Sequence, residues 1–322
     1  MTTLNSTLHP KALRYLAAVA QLGSVQAAAR EVSISASAID RQILMLEEDM
    51  GVPLFERLPR GMRLTAAGEL LLALSQRWKT DLNRTLSDVK QLQGISHGQL
   101  RLAAMDSHVN GFLPSFIHRV VKEHPGIVLE VDIVSTDEAV RRLSDGGVDF
   151  AVAFNLKAQR ELHLVWSAEL PLGCVVAAGH PLAGRSQVTF KDVVAWPLAA
   201  QSHALAIRRY LERRHSWLLQ EARPPLVTNS LQLVKNLVRS GSHVALSSEL
   251  DAGPEILDGS VRFIPLSDKN VQPQTIAVAI SAARSIPRIG RIVAELLAGH
   301  VEAYLASVRQ AAPFKPWESG SG

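Results

Sequence analysis

Apolar positions in the first ninety residues recur every three or four places. From Pro10 they fall at Leu13, Leu16, Ala17 and Ala20, and the period stops at Gly23, where a helix can close on a left-handed glycine. Ser24 is placed to cap a short second helix, VQAAAREV, whose alanines admit a close neighbour. A third period puts Ile39, Ile43 and Leu46 on one face and turns Arg41 and Gln42 off it. It begins after Ser33 or Ser35 and ends at Gly51. In VPLFERLPRGMRLTAAG, an apolar run, a PRG turn and a resumed apolar pair predict a hairpin with Arg57, Arg60 and Arg63 close together. Thr65 caps the next helix. There Leu71, Leu74, Trp78, Leu82, Leu86, Val89 and Leu92 keep spacings of three and four as far as Gly94, a coiled-coil seam of roughly three heptads.

From Gly98 the period changes. QLRLAAM, IVLEVDIV and VDFAVAF read as strands separated by the helical FLPSFIHRVVKEHP and DEAVRRLSDGG, the βαβαβ order of a parallel sheet. A second α/β set follows in LGCVVAAG, TFKDVVAW, PLAAQ, ALAIRRYLERRH, LVTNS, LQLVKNLVRSG and HVALSS. TIAVAI then recrosses, and a final helix runs from Arg288 to Arg309. Two α/β lobes joined by crossovers leave a cleft, and ligands bind at strand C-terminal ends in such sheets.

Composition alters this picture little. At 322 residues and 47% hydrophobic, the chain can fill two ordinary cores. A formal charge of +4 leans only slightly towards polyanionic partners, so the placement of charge must decide. The single cysteine, Cys174, sits in the apolar run GCVVAA. It excludes an intrachain disulfide framework and a cysteine zinc cluster, and reads as a small core residue in reducing surroundings. MTTLNSTLHPKALRYL has no basic segment followed by an apolar stretch and a cleavage site, and no run approaches the roughly 18 apolar residues of a membrane span. A cytoplasmic protein with no membrane partner is expected.

Two regions carry candidate chemistry. Ser33, Ser35 and Ser37 are helix caps, or a first helical turn that faces a nucleic acid; the hairpin arginines are a phosphate clamp, or a solvated turn. In the second half, MDSHVNGF places Asp106, Ser107 and His108 after the first strand, where backbone N–H groups and a hydroxyl favour an anion such as a carboxylate. AAQSHAL offers Gln201, Ser202 and His203 at the corresponding point of the second lobe. VTNSLQL offers Asn229 and Ser230 at another helix start, and Phe154 and Asn155 end the third strand. Each serine serves equally as an N-cap. His108 and His203 read as surface or loop histidines, and two at this spacing make no metal site. Asp106 opposes an anionic ligand unless it turns away. The chain has no GxSxG elbow, GxxxxGK[ST] loop, HExxH or helix-opening GxGxxG, so no catalytic residue, metal or cofactor is expected.

The run LRYLAAVAQLGSVQAAAREVSISASAIDRQILMLEEDMGVPLFERLPRGMRLTAAGELLL closely resembles the winged helix-turn-helix of LysR-type transcriptional regulators. The likeness lies in GS followed by AA, in RQI and LE, in the G-x-PLFER phrase and in RGxRLTxAG, a combination that is specific over about sixty residues. The second half resembles the effector-binding domain of the same regulators, which has the fold of periplasmic solute-binding proteins, through LRLAA, FLPSFI before HP, GGVDFAVAF and GHPLAG. A free-standing solute-binding module is disfavoured by the N-terminal half, and a bilobal enzyme by the missing nucleophile and acid–base motifs.

The resemblance implies an α/β protein with an N-terminal all-α winged helix-turn-helix and a C-terminal bilobal periplasmic-binding-protein-like domain. Its expected parts are a DNA-binding domain at 1–65, a dimerising linker helix at 66–96, an effector-binding domain of two α/β lobes at 97–312 and a flexible tail at 313–322. Expected partners are double-stranded DNA bearing promoter dyads, a small-molecule effector such as a small organic acid, and further copies of the chain in a homodimer and homotetramer. Residues 35 to 47 become the recognition helix, with Ser35, Ser37, Asp40 and Arg41 on the base side and Gln42 on base, phosphate or neither; Arg57, Arg60 and Arg63 face phosphates. Ser107, His108, Phe154, Gln201, Ser202, His203, Asn229 and Ser230 line the effector site. The chain departs from the family where sequence is read: Ala36 stands at the usual glutamine, Ser37 at the proline position and Asp40 at a serine. Ala36 loses the bidentate amide contact to adenine but offers a methyl to thymine. Asp40 accepts from cytosine N4, or pairs with a neighbouring arginine and holds it; repulsion by phosphates favours the pairing.

Overall fold

The computed structural model describes residues 10–59, 61–92, 98–156, 160–203, 205–222, 224–282 and 286–312. The expectations for Arg60, Gly94 and the tail at 313–322 lie outside the described residues. The chain divides into two compact units near Ile95. Among the described residues no helix is long and apolar enough to cross a membrane.

The first unit packs α1 (Lys11–Leu22), α2 (Val25–Glu31) and α3 (Ala36–Met50) around buried Leu16, Val19, Ala28, Ile39, Ile43 and Leu54, with the hairpin β1 (Phe55–Leu58) and β2 (Gly61–Leu64) and the long α4 (Ala66–Leu92). The local signals act as anticipated. Gly23 and Gly51 close their helices at φ 67°, Ser24 Oγ accepts from Ala27 N–H at 3.4 Å, and Ser35 Oγ accepts from Ala38 N–H at 3.3 Å. Ser33 stands in the preceding turn at φ 56°, so Ser35 is the cap.

Longer-range bonds explain two of the sequence phrases. Glu47, the glutamate of LE, accepts the N–H groups of Leu54 and Phe55 at 2.7 and 3.1 Å and so anchors the start of β1 to α3. Thr65 donates to Pro53 O at 2.8 Å and caps α4 by accepting from Gly68 N–H at 3.1 Å. A Cβ on Gly68 would stand 2.1 Å from Leu54 O, so only glycine lets the first turn of α4 lie against the chain that enters β1. Leu71 packs on the unit's own core, and Ser75 is buried one turn on; Leu74, Trp78 and Val89 remain exposed. The expected seam therefore begins as an intrachain contact and continues as an unpartnered stripe.

In the second unit the first lobe has a five-stranded sheet in the order β4-β3-β5-β12-β6, built from β3 (Gly98–Ala104), β4 (Ile127–Ile133), β5 (Phe150–Phe154), β6 (Leu162–Leu170) and β12 (Gln274–Ser281). Helices α5 (Phe112–Glu123) and α6 (Thr136–Asp145) make the parallel crossovers. The three strands of the βαβαβ run are parallel as expected, while the recrossing β12 runs antiparallel to both neighbours, because it returns from the second lobe and enters the sheet from the opposite end. The edge strand β6, LHLVWSAEL, has polar residues among its apolar ones and was not anticipated.

The second lobe contains β7 (Leu172–Ala177), α7 (Phe190–Val194), β8 (Ala199–Gln201), α8 (Ala206–Arg214), α9 (Ser216–Ala222), β9 (Leu226–Thr228), α10 (Leu231–Arg239), β10 (Ala245–Ser248), α11 (Gly253–Leu257) and β11 (Val261–Pro265). Its central β7 lies between β10 and β11, and β8 pairs with β9. Cys174 is buried in β7, and burial pushes its thiol up to about 12, so it is an inert core group. The last helix, α12 (Arg288–Ala311), packs Val293, Leu297, Val301 and Leu305 into the first lobe and Val308 against the second, spanning both.

Candidate nucleic-acid interface and ligand cleft

On α3 the buried Ile39 and Ile43 leave Ser37, Ala38, Arg41, Leu44, Met45 and Glu48 on the exposed side, a stripe at helical spacing. Ser37 donates its hydroxyl to Ser35 Oγ at 3.2 Å. Arg41 is exposed, and its guanidinium meets no carboxylate among the described residues. Gln42 sits at one margin with its amide against Met45 Sδ at 3.6 Å. Ala36, whose methyl was expected to face thymine, packs partly on the unit's core, while Ala38 is exposed. Leu44 and Met45 were also not anticipated; the signal was two large apolar side chains off the buried period.

Of the three hairpin arginines, Arg60 lies outside the described residues, and Arg57 and Arg63 do not face the same way. Residues alternate across the strands, with Glu56 opposite Arg63 and Arg57 opposite Met62, so Arg57 and Arg63 occupy different hairpin faces. Arg63 is held by Glu56 at 2.6 Å. Arg57 reaches across from the hairpin to Asp40 on α3 at 2.8 Å.

At the end of β3 the chain makes a tight turn through Asp106, Ser107 and His108. His108 is not a surface histidine: its ring packs 4.9 Å from Phe112 and 5.5 Å from Phe154, with both phenyl rings buried. Its Nδ1 accepts from Met105 N–H at 3.3 Å, and burial drives its pKa down to about 3. The ring is neutral, so the proton rests on Nε2, which is buried without a partner. Ser107 Oγ is likewise buried and makes no well-formed hydrogen bond, though it lies close enough to the Asp251 carboxyl to oppose in part the upward push of burial on that group. In the second lobe Gln201 donates to Leu246 O at 3.0 Å, binding β8 to β10 rather than facing outward. Ser202 is half-buried, Asn229 is exposed, and His203 is exposed 2.9 Å from Glu212. Ser230 is the N-cap of α10 and accepts from Leu233 N–H at 3.2 Å.

Two bonds cross the cleft. Asn110 donates to Gln232 at 2.5 Å, and Arg209 on α8 meets Asp137 on α6 at 2.9 Å. Behind them lies a polar seam invisible in the sequence. Lys235 and Glu255 pair at 2.9 Å, each side chain only 7% exposed, and Lys235 also donates to Asp251 O at 3.2 Å. Ser247 and Ser248 donate to Asp251 Oδ2 at 2.9 and 3.0 Å, which opposes the upward push of burial on that carboxyl. The Tyr304 hydroxyl of α12 is buried without a partner, and a Cβ on Gly253 would stand 2.6 Å from it. Arg309 joins buried Glu249 at 2.6 Å and donates to Glu169 O at 2.8 Å, where β6 leads into the second lobe. Unsatisfied polar atoms of the first lobe (Ser107, His108), the second (Asp251) and α12 (Tyr304) thus gather at one seam. Among the described residues no group of three or more His, Cys, Asp or Glu side chains is arranged for a metal ion.

Comparison with known proteins matches residues 10–69 to the family described as "Bacterial regulatory helix-turn-helix protein, lysR family" and residues 93–301 to "LysR substrate binding domain". A probable nitrogen assimilation transcriptional activator of Synechococcus elongatus is 30% identical over 71% of this chain and 74% of its own length. A RuBisCO operon transcriptional regulator of Allochromatium vinosum is 29% identical over 73% of this chain and 78% of its own. Among solved structures, full-length CbnR complexed with its target DNA superposes with a TM-score of 0.60 at 20% identity, covering 94% of this chain and 99% of that one.

Proposed function

Since the chain belongs to the LysR family of ligand-responsive, DNA-binding transcriptional regulators, we propose that α3 reads a promoter dyad while the interlobe seam senses a small polar effector. The exposed α3 stripe with an unpaired Arg41 at its centre carries the DNA reading. Ser35 and Ser37 sit at its N-terminal end, where side chains enter the major groove, and Gln42 flanks it. Arg57 lies beside it on the wing, and Arg63 stands on the other face of the hairpin, paired with Glu56. Two chains pair through the apolar stripe Leu74, Trp78 and Val89 of α4, and contacts between effector domains extend the dimer to a tetramer.

The effector, a small organic acid, occupies the cleft near Ser107, His108, Ser202 and Asn229. Its binding replaces the ties between Asn110 and Gln232 and between Asp137 and Arg209, changing the set of the lobes and the spacing of the DNA-binding pairs. The unsatisfied Ser107 hydroxyl and His108 Nε2 supply donors for a carboxylate.

Selection of duplex DNA from a random pool with the full-length protein tests this reading. An interrupted dyad is expected; a folded dimer that enriches no sequence would overturn it. Arg41→Ala should then weaken binding by about 1–3 kcal/mol and relax preference among sites. Undiminished discrimination between sites would remove Arg41 from base readout. Ser107→Ala should leave effector-free DNA binding intact and blunt the response to a screened panel of organic acids; an unaltered dose response would make Ser107 a purely structural residue.

A further inference from the structure

The contact between Asp40 and Arg57 is the one place where the described wing touches the reading face of α3 through charge. Asp40 lies in the second turn of α3, at the margin of the exposed stripe, and its carboxylate takes a single hydrogen bond from Arg57 Nη2 at 2.8 Å. Among the described residues, Nε and Nη1 of that guanidinium meet no acceptor. The side chains are 35% and 59% exposed. An exposed pair of this kind adds about 0–1 kcal/mol to stability, too little to explain it as a structural tie of the domain. Its physical effect is directional. A free arginine on a hairpin samples many rotamers, whereas one anchored at Nη2 presents its other edge in a fixed plane beside the recognition helix.

The same contact neutralises a carboxylate that would otherwise repel the phosphates, and the attraction strengthens once DNA excludes water. Arg63 on the opposite hairpin face is tied to Glu56 of its own hairpin, so Arg57 is the described wing arginine whose aim is set by α3.

We propose that Asp40 is a positioning residue and that Asp40 and Arg57 form one reading unit, in which the buttressed guanidinium contacts a guanine edge while Asp40 touches no base. This rests on the DNA-binding reading above. It accounts for this chain's departure from the family at position 40: replacing a hydroxyl by a carboxylate recruits a wing arginine into sequence recognition. Guanine, with acceptors at O6 and N7, is the base edge that suits a planar guanidinium fork.

The test is a double-mutant cycle read by DNA selection. Full-length wild type, Asp40→Ala, Arg57→Ala and the double variant are each selected against the same random pool at fixed salt, with thermal melts as a check on folding. The wild type should prefer a G·C pair at one position of each half-site. Both single variants should lose that preference by about tenfold or more, and the double variant should lose no more than either. Other positions should keep their preferences. Asp40→Asn and Arg57→Lys serve in the same cycle if an alanine variant melts early.

Three results overturn the inference while leaving the protein a DNA reader. Asp40→Ala could keep the wild-type preference. It could lose it while Arg57→Ala retains it, meaning Asp40 itself accepts from cytosine. Arg57→Ala could weaken all sites uniformly and lower the salt dependence by about one phosphate contact, meaning a backbone contact. A wild type that enriches no site removes the DNA reading and this inference together.

Discussion

Relative to wild type, Glu249→Gln should add a positive slope of about 1.4 kcal/mol per pH unit to the stability of the effector domain between pH 4.5 and about 7. Glu249 is wholly buried, and desolvation lifts its pKa from 4.5 to about 7 despite the opposing pull of Arg309. A carboxyl whose folded pKa is raised contributes stability that is fully present below its unfolded pKa and lost as pH rises through the folded one. In the wild type this loss runs from 4.5 to about 7. Glutamine keeps the shape and an acceptor for Arg309 but cannot titrate, so the loss disappears.

His108 works in the other direction. Burial lowers its pKa from 6.5 to about 3, so its contribution is full above 6.5 and is lost as pH falls towards 3. Asp251, raised by burial, adds to the effect of Glu249. The two slopes overlap and oppose each other in the wild type, which makes the difference between variant and wild type the informative quantity. Urea unfolding at about pH 5, 6 and 7 measures it. Parallel stability curves for the two proteins would show that Glu249 is ionised throughout, with Arg309 winning over burial.

Lys235→Ala should destabilise the same domain by about 3–5 kcal/mol, because it strands Glu255 as a buried carboxylate with no counter-charge. Restoring the volume without either charge, as Lys235→Met with Glu255→Leu, should recover that loss and could exceed wild type by about 1–4 kcal/mol. Denaturant titration of the single and double variants decides the matter. If the single variant costs no more than an exposed lysine would, the ion pair is open to water and the seam is not closed to solvent. The double variant also separates stability from signalling. If the pair serves regulation, its removal should leave a stable regulator with an altered effector response.

How much of this was legible in advance depended on the range of the interactions. Helix limits in the first unit followed from residues a few places apart: Gly23 and Gly51 at left-handed φ, and Ser24 and Ser35 accepting from N–H groups three residues on. The β–α alternation after Gly98 was legible for the same reason, since a period is a property of neighbours. The strand β6 and the direction of β12 were not, because β12 is placed by a return from another lobe rather than by its own pattern. Ser35, Ser37 and Arg41 stand on the exposed face as the helical period required. His108 and Gln201 were placed correctly along the chain but wrongly in depth, since whether a loop side chain is covered depends on what packs over it.

By itself the sequence determined the helical reading head, the two α/β lobes and the family to which they belong, because turns, caps and periodicity are settled within a few residues. Only the tertiary structure decided which charges meet. Arg57 finds Asp40 from 17 residues away, Arg309 finds Glu249 from 60, and Asn110 finds Gln232 from 122. A charged side chain carries no local preference for one distant partner over another. The packing of apolar faces brings the elements together first, and the pairs that form are those the resulting geometry leaves within reach.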